Sequence, residues 1–381
     1  MSMRKISCLL CPLVAFLVMG ASACDSNGTG KKSHTPLEAK WRYAYDIAGS
    51  VRLPPRVVGD TLVLFSAEAR LTALRTVDGS LSWKSARVEN PISELYSEEL
   101  AIVGNKVYGS HVDQALVWDI TSGDIVWRFE PPSQRRFYNS GYFGGGSGLG
   151  YFYGSGSGSW LYVLNKQSGS LEYRRQYEYG VRGTTYDDGM LYFTQAWTPE
   201  GAKGQSKGGI MKVDAATGDS LWNFRTPRGG FYRMRPFVED GVVYAGTDGG
   251  ENTVFVALDA ATGEVLWRNT RARVYAAEMV DGKIFVNDGS DLLALDKDDG
   301  SILWRARLDA GHGESGLAYL DGYVYHPHGQ AMRVVNAETG EIVHIEAPPD
   351  GSYFWEVGAG AGKVFAQSSS NLIAYQPYQS E

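Results

Sequence analysis

Few residue groups in this chain have the type and spacing that could do chemistry. His326-Pro327-His328 follows an apolar run, Tyr323-Val324-Tyr325. Side chains two apart on a strand share a face, so two imidazoles there could meet a third ligand around a metal. His312 and Glu314 open the same stretch. Pro327 argues against a regular ladder at this point. The pair is therefore read as a polar loop at a strand end, and no metal site is assigned. Two further segments set aromatic rings among glycines and lysines. Residues 137–160 carry Tyr142, Phe143 and Tyr151, rings that could stack on a sugar. Residues 194–209 carry Trp197, Lys203 and Lys207, a composition suited to anchoring a protein partner. No Ser-His-Asp spacing, phosphate-binding loop or zinc signature stands out, so no catalytic residue and no cofactor is expected.

The elements that must position these groups are strands. Glycine (47 residues), Tyr (23) and Trp (10) are plentiful, and nothing after residue 40 keeps a helical period. A unit of the form apolar-x-Asp/Asn-x-x-Thr/Ser-Gly-x-x-x-aromatic recurs down the chain. Its cleanest copy is ALDAATGEVLW, from Ala257 to Trp267. Other copies end at Trp83, Trp127, Tyr173, Trp222, Trp304 and His344. Each has its turn glycine four residues earlier, from Gly79 to Gly340. Those two glycines are 261 residues and six intervals apart, a mean of 43.5 residues per unit, the length of a four-stranded propeller blade. The Asp or Asn is expected to accept hydrogen bonds from turn amides, and the aromatic to pack between neighbouring units. Asp188-Gly189, Asp240-Gly241, Asp281-Gly282 and Asp321-Gly322 each supply a second hairpin turn.

Seven units fill the chain between Trp41 and His344, and strands near 353–357, 363–367 and 372–375 remain without an outer partner. The segment 41–45 is read as that partner, because joining it removes an open sheet edge. The expected fold is all-β: an eight-bladed β-propeller of four-stranded antiparallel blades, its ring closed by strand 41–45 joining the C-terminal blade. The propeller spans 40–381.

The segment before it reads as an address. Arg4 and Lys5 precede an apolar run from Ile6 to Ala21, too short for a comfortable membrane span, followed by the small-residue site Ala21-Ser22-Ala23. Ala-Ser-Ala-Cys resembles the bacterial lipobox, with Ala21 where a larger aliphatic residue is usual. That resemblance implies removal of 1–23 and acylation of Cys24, the one thiol the mature chain would keep. Residues 24–39 are small, polar and charged, as in a flexible tether. The net charge of −7 becomes −9 without 1–23, which takes away two basic and no acidic residues. With no basic stripe, a nucleic-acid partner is not expected.

The repeat resembles that of the pyrroloquinoline-quinone (PQQ)-like family, Ala-x-Asp-x-x-Thr-Gly-x-x-x-Trp. Residues 257–267 match it fully, 294–304 with Asp299 in place of Thr, and 212–222 with Lys212 in place of Ala. Within it, the size, the blade count and the lipoprotein signal are similar to the BamB family of scaffold lipoproteins. The resemblance implies an exported protein, lipid-anchored at the periplasmic face of the envelope, on the outer membrane rather than the inner. Its partner would be an envelope protein, with the barrel-assembly machinery as the first candidate. The family's docking loop carries a Leu-Arg-Gly segment, and Val181-Arg182-Gly183 stands in its place. A second, acidic loop of the family is replaced by 228–233, which holds Arg228 and Arg233. Arg182, Gly183, Trp197, Lys203, Arg228 and Arg233 are thus the candidate partner contacts. Tyr142, Phe143 and Tyr151 serve the alternative, a glycan- or small-molecule-binding propeller. A quinone-dependent dehydrogenase fits less well, since that family stacks a disulfide of adjacent cysteines on its quinone.

Overall fold

A computed structural model describes residues 35–46, 53–66, 70–87, 100–111, 114–131, 147–148, 151–156, 159–201, 206–227, 229–232, 234–248, 253–308 and 316–380. Cys24, Tyr142, Phe143, Lys203, Arg228, Arg233, His312 and Glu314 lie outside the described residues. Tyr151 begins the strand Tyr151–Gly156, of which only the backbone is described.

The repeat folds as its composition demands. The protein is an all-β propeller of four-stranded antiparallel blades, and no helix long and apolar enough to cross a membrane occurs among the described residues. Seven four-stranded sheets run in chain order within 56–84, 101–129, 147–176, 180–226, 237–269, 276–307 and 318–346. In a further sheet, Ala39–Ala44 pairs antiparallel with Asn371–Tyr375, which continues through Lys363–Ser368 to Phe354–Gly360. The N-terminal strand thus starts two residues earlier than the sequence suggests. Tyr45 lies just past it, its N–H still donating to the Ser370 carbonyl at 2.9 Å.

Each turn glycine serves two purposes. All seven, from Gly79 to Gly340, hold φ between 70° and 77°, which glycine adopts without strain. Each also lies under the aromatic ring of the preceding sheet. A Cβ on Gly123 would come within 2.3 Å of the Trp83 ring, and one on Gly300 within 2.3 Å of Trp267. The indole then donates to a carbonyl of the same turn: Trp83 Nε1 to Ile120 O at 2.8 Å, Trp267 Nε1 to Lys297 O at 3.0 Å, Trp304 Nε1 to Ala337 O at 3.0 Å. Trp41 does the same to Gly79 and Thr76 O, at 2.9 Å.

The turns are held from within. Asp259 Oδ1 accepts from the N–H groups of Ala261 and Thr262 at 2.9 and 2.8 Å, and these bonds pull its pKa below the ordinary carboxylate range. The two departures from the motif keep the geometry. Asp299 Oδ1 accepts from Ser301 N, as Thr262 Oγ1 does from Glu264 N. Lys212 Nζ reaches across to Ala260 O at 2.8 Å, the acceptor of Trp222.

The core is shared between sheets. Leu62, Leu64 and Leu74 of the first sheet bury against Phe365, Leu372 and Ala374 of the last. First strands of neighbouring sheets touch as well, among them Gly180–Asp187 with Phe237–Glu239, and Arg56–Val58 with Phe354–Gly360.

Candidate functional site

The sheet within 180–226 differs from the others. Three of its strands are eight residues long, Gly180–Asp187, Met190–Trp197 and Lys207–Asp214. Val181 pairs with Gln195 and Thr184 with Phe193, so Arg182 and Gly183 oppose the single residue Thr194. This is a β-bulge, a device that re-aims a side chain. Gly183 is required by close approach: a Cβ there would lie 2.5 Å from Arg235 Cα. Thr185 Oγ1 donates to Pro236 O at 2.6 Å and Thr194 Oγ1 to Met234 O at 3.2 Å, fixing the 234–236 segment against the sheet.

Arg182 is set into this structure rather than waving in a loop. Its guanidinium carbon lies 5.1 Å from the centre of the Tyr232 ring. Burial pulls its pKa down to about 10, with Tyr232 and Asp248 acting the other way. It therefore stays charged at neutral pH while partly stripped of water. The ring above it is fixed too. Phe231 is fully buried against Gly208, and Tyr232 N donates to Asp248 Oδ1 at 2.8 Å. Arg273 Nε donates to Asp248 O at 2.9 Å, and its guanidinium lies 5.0 Å from the Tyr275 ring. Arg182 on its strand, Tyr232 in the connection before Phe237–Glu239, and Arg273 with Tyr275 in the connection before Ala276–Val280 thus set two guanidinium groups against two phenol rings.

Trp197 ends its strand and stacks on Tyr179, with centroids 3.9 Å apart and planes 12° apart. Arg225 lies 5.2 Å from the Tyr179 ring and 5.8 Å from the Trp197 ring, and donates to Glu178 Oε2 at 2.9 Å. The Tyr179 hydroxyl and then Arg225 hold the Glu178 carboxyl below its ordinary pKa. Tyr179 and Trp197 are half-buried, so part of the stack stays open to solvent.

The structure therefore brings Arg182 and Gly183 together on one bulge and places Trp197 at the same end of the same sheet. Tyr179, Arg225, Tyr232, Asp248 and Arg273 complete the arrangement, and sequence reasoning missed them. A glycine inside an otherwise alternating run, Val181-Arg182-Gly183-Thr184, was the available signal for the bulge. The partners across it have no local signature.

His326 and His328 are not in a polar loop. Both belong to the strand Tyr323–His328 and both are fully buried. The neighbouring strand Ala318–Leu320 pairs only up to Tyr325, so residues 326–328 are paired on one side, where proline's missing N–H is tolerated.

A family model described as outer membrane protein assembly factor BamB matches residues 37–135, 112–252 and 206–377. Among solved structures, BamB of Moraxella catarrhalis is 14% identical, with a TM-score of 0.66, over 91% of this chain and 99% of that one. The quinohemoprotein alcohol dehydrogenase of Comamonas testosteroni is 12% identical, with a TM-score of 0.67, over 91% of this chain and 78% of that one. Among curated proteins, the serine/threonine-protein kinase AfsK of Streptomyces coelicolor is 33% identical over 101 residues. That match covers 26% of this chain and 11% of the kinase.

Proposed function

The chain belongs to the outer membrane protein assembly factor BamB family, and from that premise we propose that it is a non-catalytic scaffold lipoprotein of the cell envelope, taking a BamB-like part in outer-membrane protein assembly. In this reading 1–23 is removed, Cys24 is acylated, and 24–39 tethers the propeller to the periplasmic face of the outer membrane. The propeller is a ring of eight blades closed by the N-terminal strand. The seat of Trp41 on Gly79, with the same hydrogen bond as the other indoles, supports that closure.

The observation that carries the docking assignment is Arg182 on its bulge beneath Tyr232. A cation held in place and already partly desolvated gains most from a partner carboxylate or carbonyl, since little further ordering is needed. Trp197, Lys203, Arg228 and Arg233 are the further contacts in this reading, with a protein of the barrel-assembly machinery as the partner. Crosslinking with mass spectrometry on native membranes tests this: crosslinks from 182–209 to that machinery are expected. Arg182→Ala, checked by circular dichroism to remain folded, should weaken binding at least tenfold, and Arg182→Lys, which keeps the charge, should weaken it less. Full affinity in the alanine variant would remove this face from the assignment.

One observation favours a second reading, a glycan- or small-molecule-binding propeller. The half-open Tyr179–Trp197 stack is a platform of the kind that sugars use. Tyr142, Phe143 and Tyr151 are the stacking residues that the sequence offers for this reading. A glycan array silent for the wild type counts against this reading, as does one unchanged by Trp197→Ala. A quinone and calcium ion fit the residues poorly. No group of three or more His, Cys, Asp or Glu able to hold a metal occurs among the described residues, and no two cysteines are adjacent in the sequence.

A further inference from the structure

The end of the molecule that holds Arg182 carries more positive charge than the docking assignment uses. Arg235 lies in the connection before Phe237–Glu239, and Arg271 and Arg273 lie in the connection before Ala276–Val280. Asp248, 6% exposed, is the one carboxylate among the described residues of 180–183, 229–236, 247–248 and 270–275. Four guanidinium groups thus stand against one carboxylate, in a chain whose net charge is −7. Hydrogen bonds lace these segments into one frame. Asp248 N donates to Gly230 O at 3.2 Å and Val274 N to Thr247 O at 3.1 Å, beside the bonds that Tyr232 N and Arg273 Nε make to Asp248. Gly183 packs on the backbone of Arg235, whose guanidinium carbon lies 5.9 Å from the centre of the Phe237 ring. Arg182, Arg235 and Arg273 therefore each lie beside an aromatic ring, which limits the freedom they lose on meeting a ligand.

The charge distribution selects the occupant. Arg271 and Arg273 are exposed. The bond from Arg273 Nε takes one of the five N–H donors of a guanidinium, and a carboxylate needs two. Guanidinium groups spread over a bulge and two connections match a row of carboxylates better than a single anion. At the other end of the same three sheets the first strands run into acidic turns, at Asp187-Asp188, Glu239-Asp240 and Asp281. An acidic partner is repelled there and attracted here, so charge alone decides which end it meets. Arg182 and Arg235 are half-buried, within reach of an extended segment but not of a flat bilayer surface.

We propose that this end of the propeller takes an acidic segment of its protein partner, a run of Glu or Asp side chains laid across Arg182, Arg235, Arg271 and Arg273. The proposal rests on the docking face assigned above and adds the partner's chemistry to it. The test is fluorescence anisotropy of the full chain with a fluorescein-labelled oligoglutamate peptide. Saturable binding is expected, weakened at least about tenfold between low salt and roughly 0.3 M. Arg273→Glu and Arg271→Glu, both at exposed positions, should each weaken it at least about tenfold. Asp188→Asn, at the opposite end, should leave it within about twofold. Circular dichroism checks that the variants fold. Absence of peptide binding overturns the proposal, as does full affinity in both folded arginine variants. Phosphatidylglycerol vesicles are the counter-probe: if they bind the chain through Arg273 and the peptide does not bind, the occupant is a lipid surface and the proposal falls. Crosslinks from 182–209 to the barrel-assembly machinery without peptide binding would remove the acidic segment and leave the docking face. Peptide binding without those crosslinks would keep the acidic segment and remove that machinery as the partner.

Discussion

Two kinds of junction hold neighbouring sheets together, and they differ in chemistry. At most of them an aromatic ring lies flat on a turn glycine of the next sheet and donates one hydrogen bond to that turn. Trp41, Trp83, Trp127, Tyr173, Trp222, Trp267 and Trp304 all do so. At the junction between 318–346 and the last sheet, the strand Asn371–Tyr375 pairs with Ala39–Ala44, and no such turn occurs among the described residues. The residue in the aromatic position is His344, 2% exposed, and its Nε2 pairs with Glu346 Oε2 at 2.9 Å. The same carboxylate oxygen accepts from Leu37 N at 2.8 Å. From the other terminus, the Tyr378 ring approaches His344 to 6.0 Å and its N–H donates to the Tyr325 hydroxyl at 2.9 Å. At this junction His344, Glu346, Leu37 and Tyr378 take the place that indole and glycine take elsewhere.

The largest effect should come from emptying an indole junction. Trp304 is 9% exposed, and Trp304→Ala should cost about 3–5 kcal/mol in urea denaturation at neutral pH. A loss below about 1 kcal/mol would mean the rings merely fill space that the sheets close without them. The second effect depends on pH. His326 has a folded pKa of about 3 against an ordinary 6.5, so the unfolded chain takes up the proton first. Its contribution is complete above pH 6.5 and is lost as the pH falls towards 3. Over that range its contribution declines with a slope of up to about 1.4 kcal/mol per pH unit. His326→Gln should flatten that slope and Trp304→Ala should leave it unchanged. Equal slopes in the two variants would mean that His326 is not the source of this pH dependence.

How far the sequence reveals this follows the same division. Gly79, Gly123 and Trp267 are legible because each residue type meets a local demand, a positive φ or a flat ring on a bare Cα. The Asp-Gly turns are legible too: Asp240 and Gly241 have φ of 51° and 76°, as a tight hairpin needs. His326 is misread because Pro327 signals a break. Whether proline breaks a strand depends on where the neighbouring strand stops, which is a tertiary fact. Arg182 is legible as a candidate only through the Arg-Gly pair. Its ring partner, Tyr232, lies 50 residues away in the connection to the next sheet, and no local pattern points to it.

A smaller effect separates the candidate site from the scaffold. Gly183→Ala places a methyl against the Arg235 backbone, which should cost about 1–3 kcal/mol as the bulge and the 234–236 segment part. The slope with pH should be unchanged, while the Arg182–Tyr232 contact is loosened and partner binding falls. A crystal structure of the variant checks this directly, and an unmoved Arg182 would mean the bulge is held by Thr185 and Thr194 rather than by the glycine.

The smallest effect is expected at Tyr173, the one aromatic junction without indole. A Cβ on Gly218 would lie 3.0 Å from the Tyr173 ring, against 2.3–2.8 Å at the indole junctions. The phenol keeps the hydrogen bond, to Ala215 O at 2.7 Å. Tyr177 occupies the freed space and donates to Gly218 O at 2.8 Å. Tyr173→Trp restores the common ring but pushes it against Tyr177. Added apolar contact and overpacking then oppose each other, and the net change should stay below about 1.5 kcal/mol. If it does, and Tyr173→Trp,Tyr177→Ala is the more stable of the two, the junctions are interchangeable and the phenol pair is one packing solution among several. A large loss in both variants would instead mean that the sheets on either side of Tyr173 are set for tyrosine, and that the repeat is less uniform than its spacing implies.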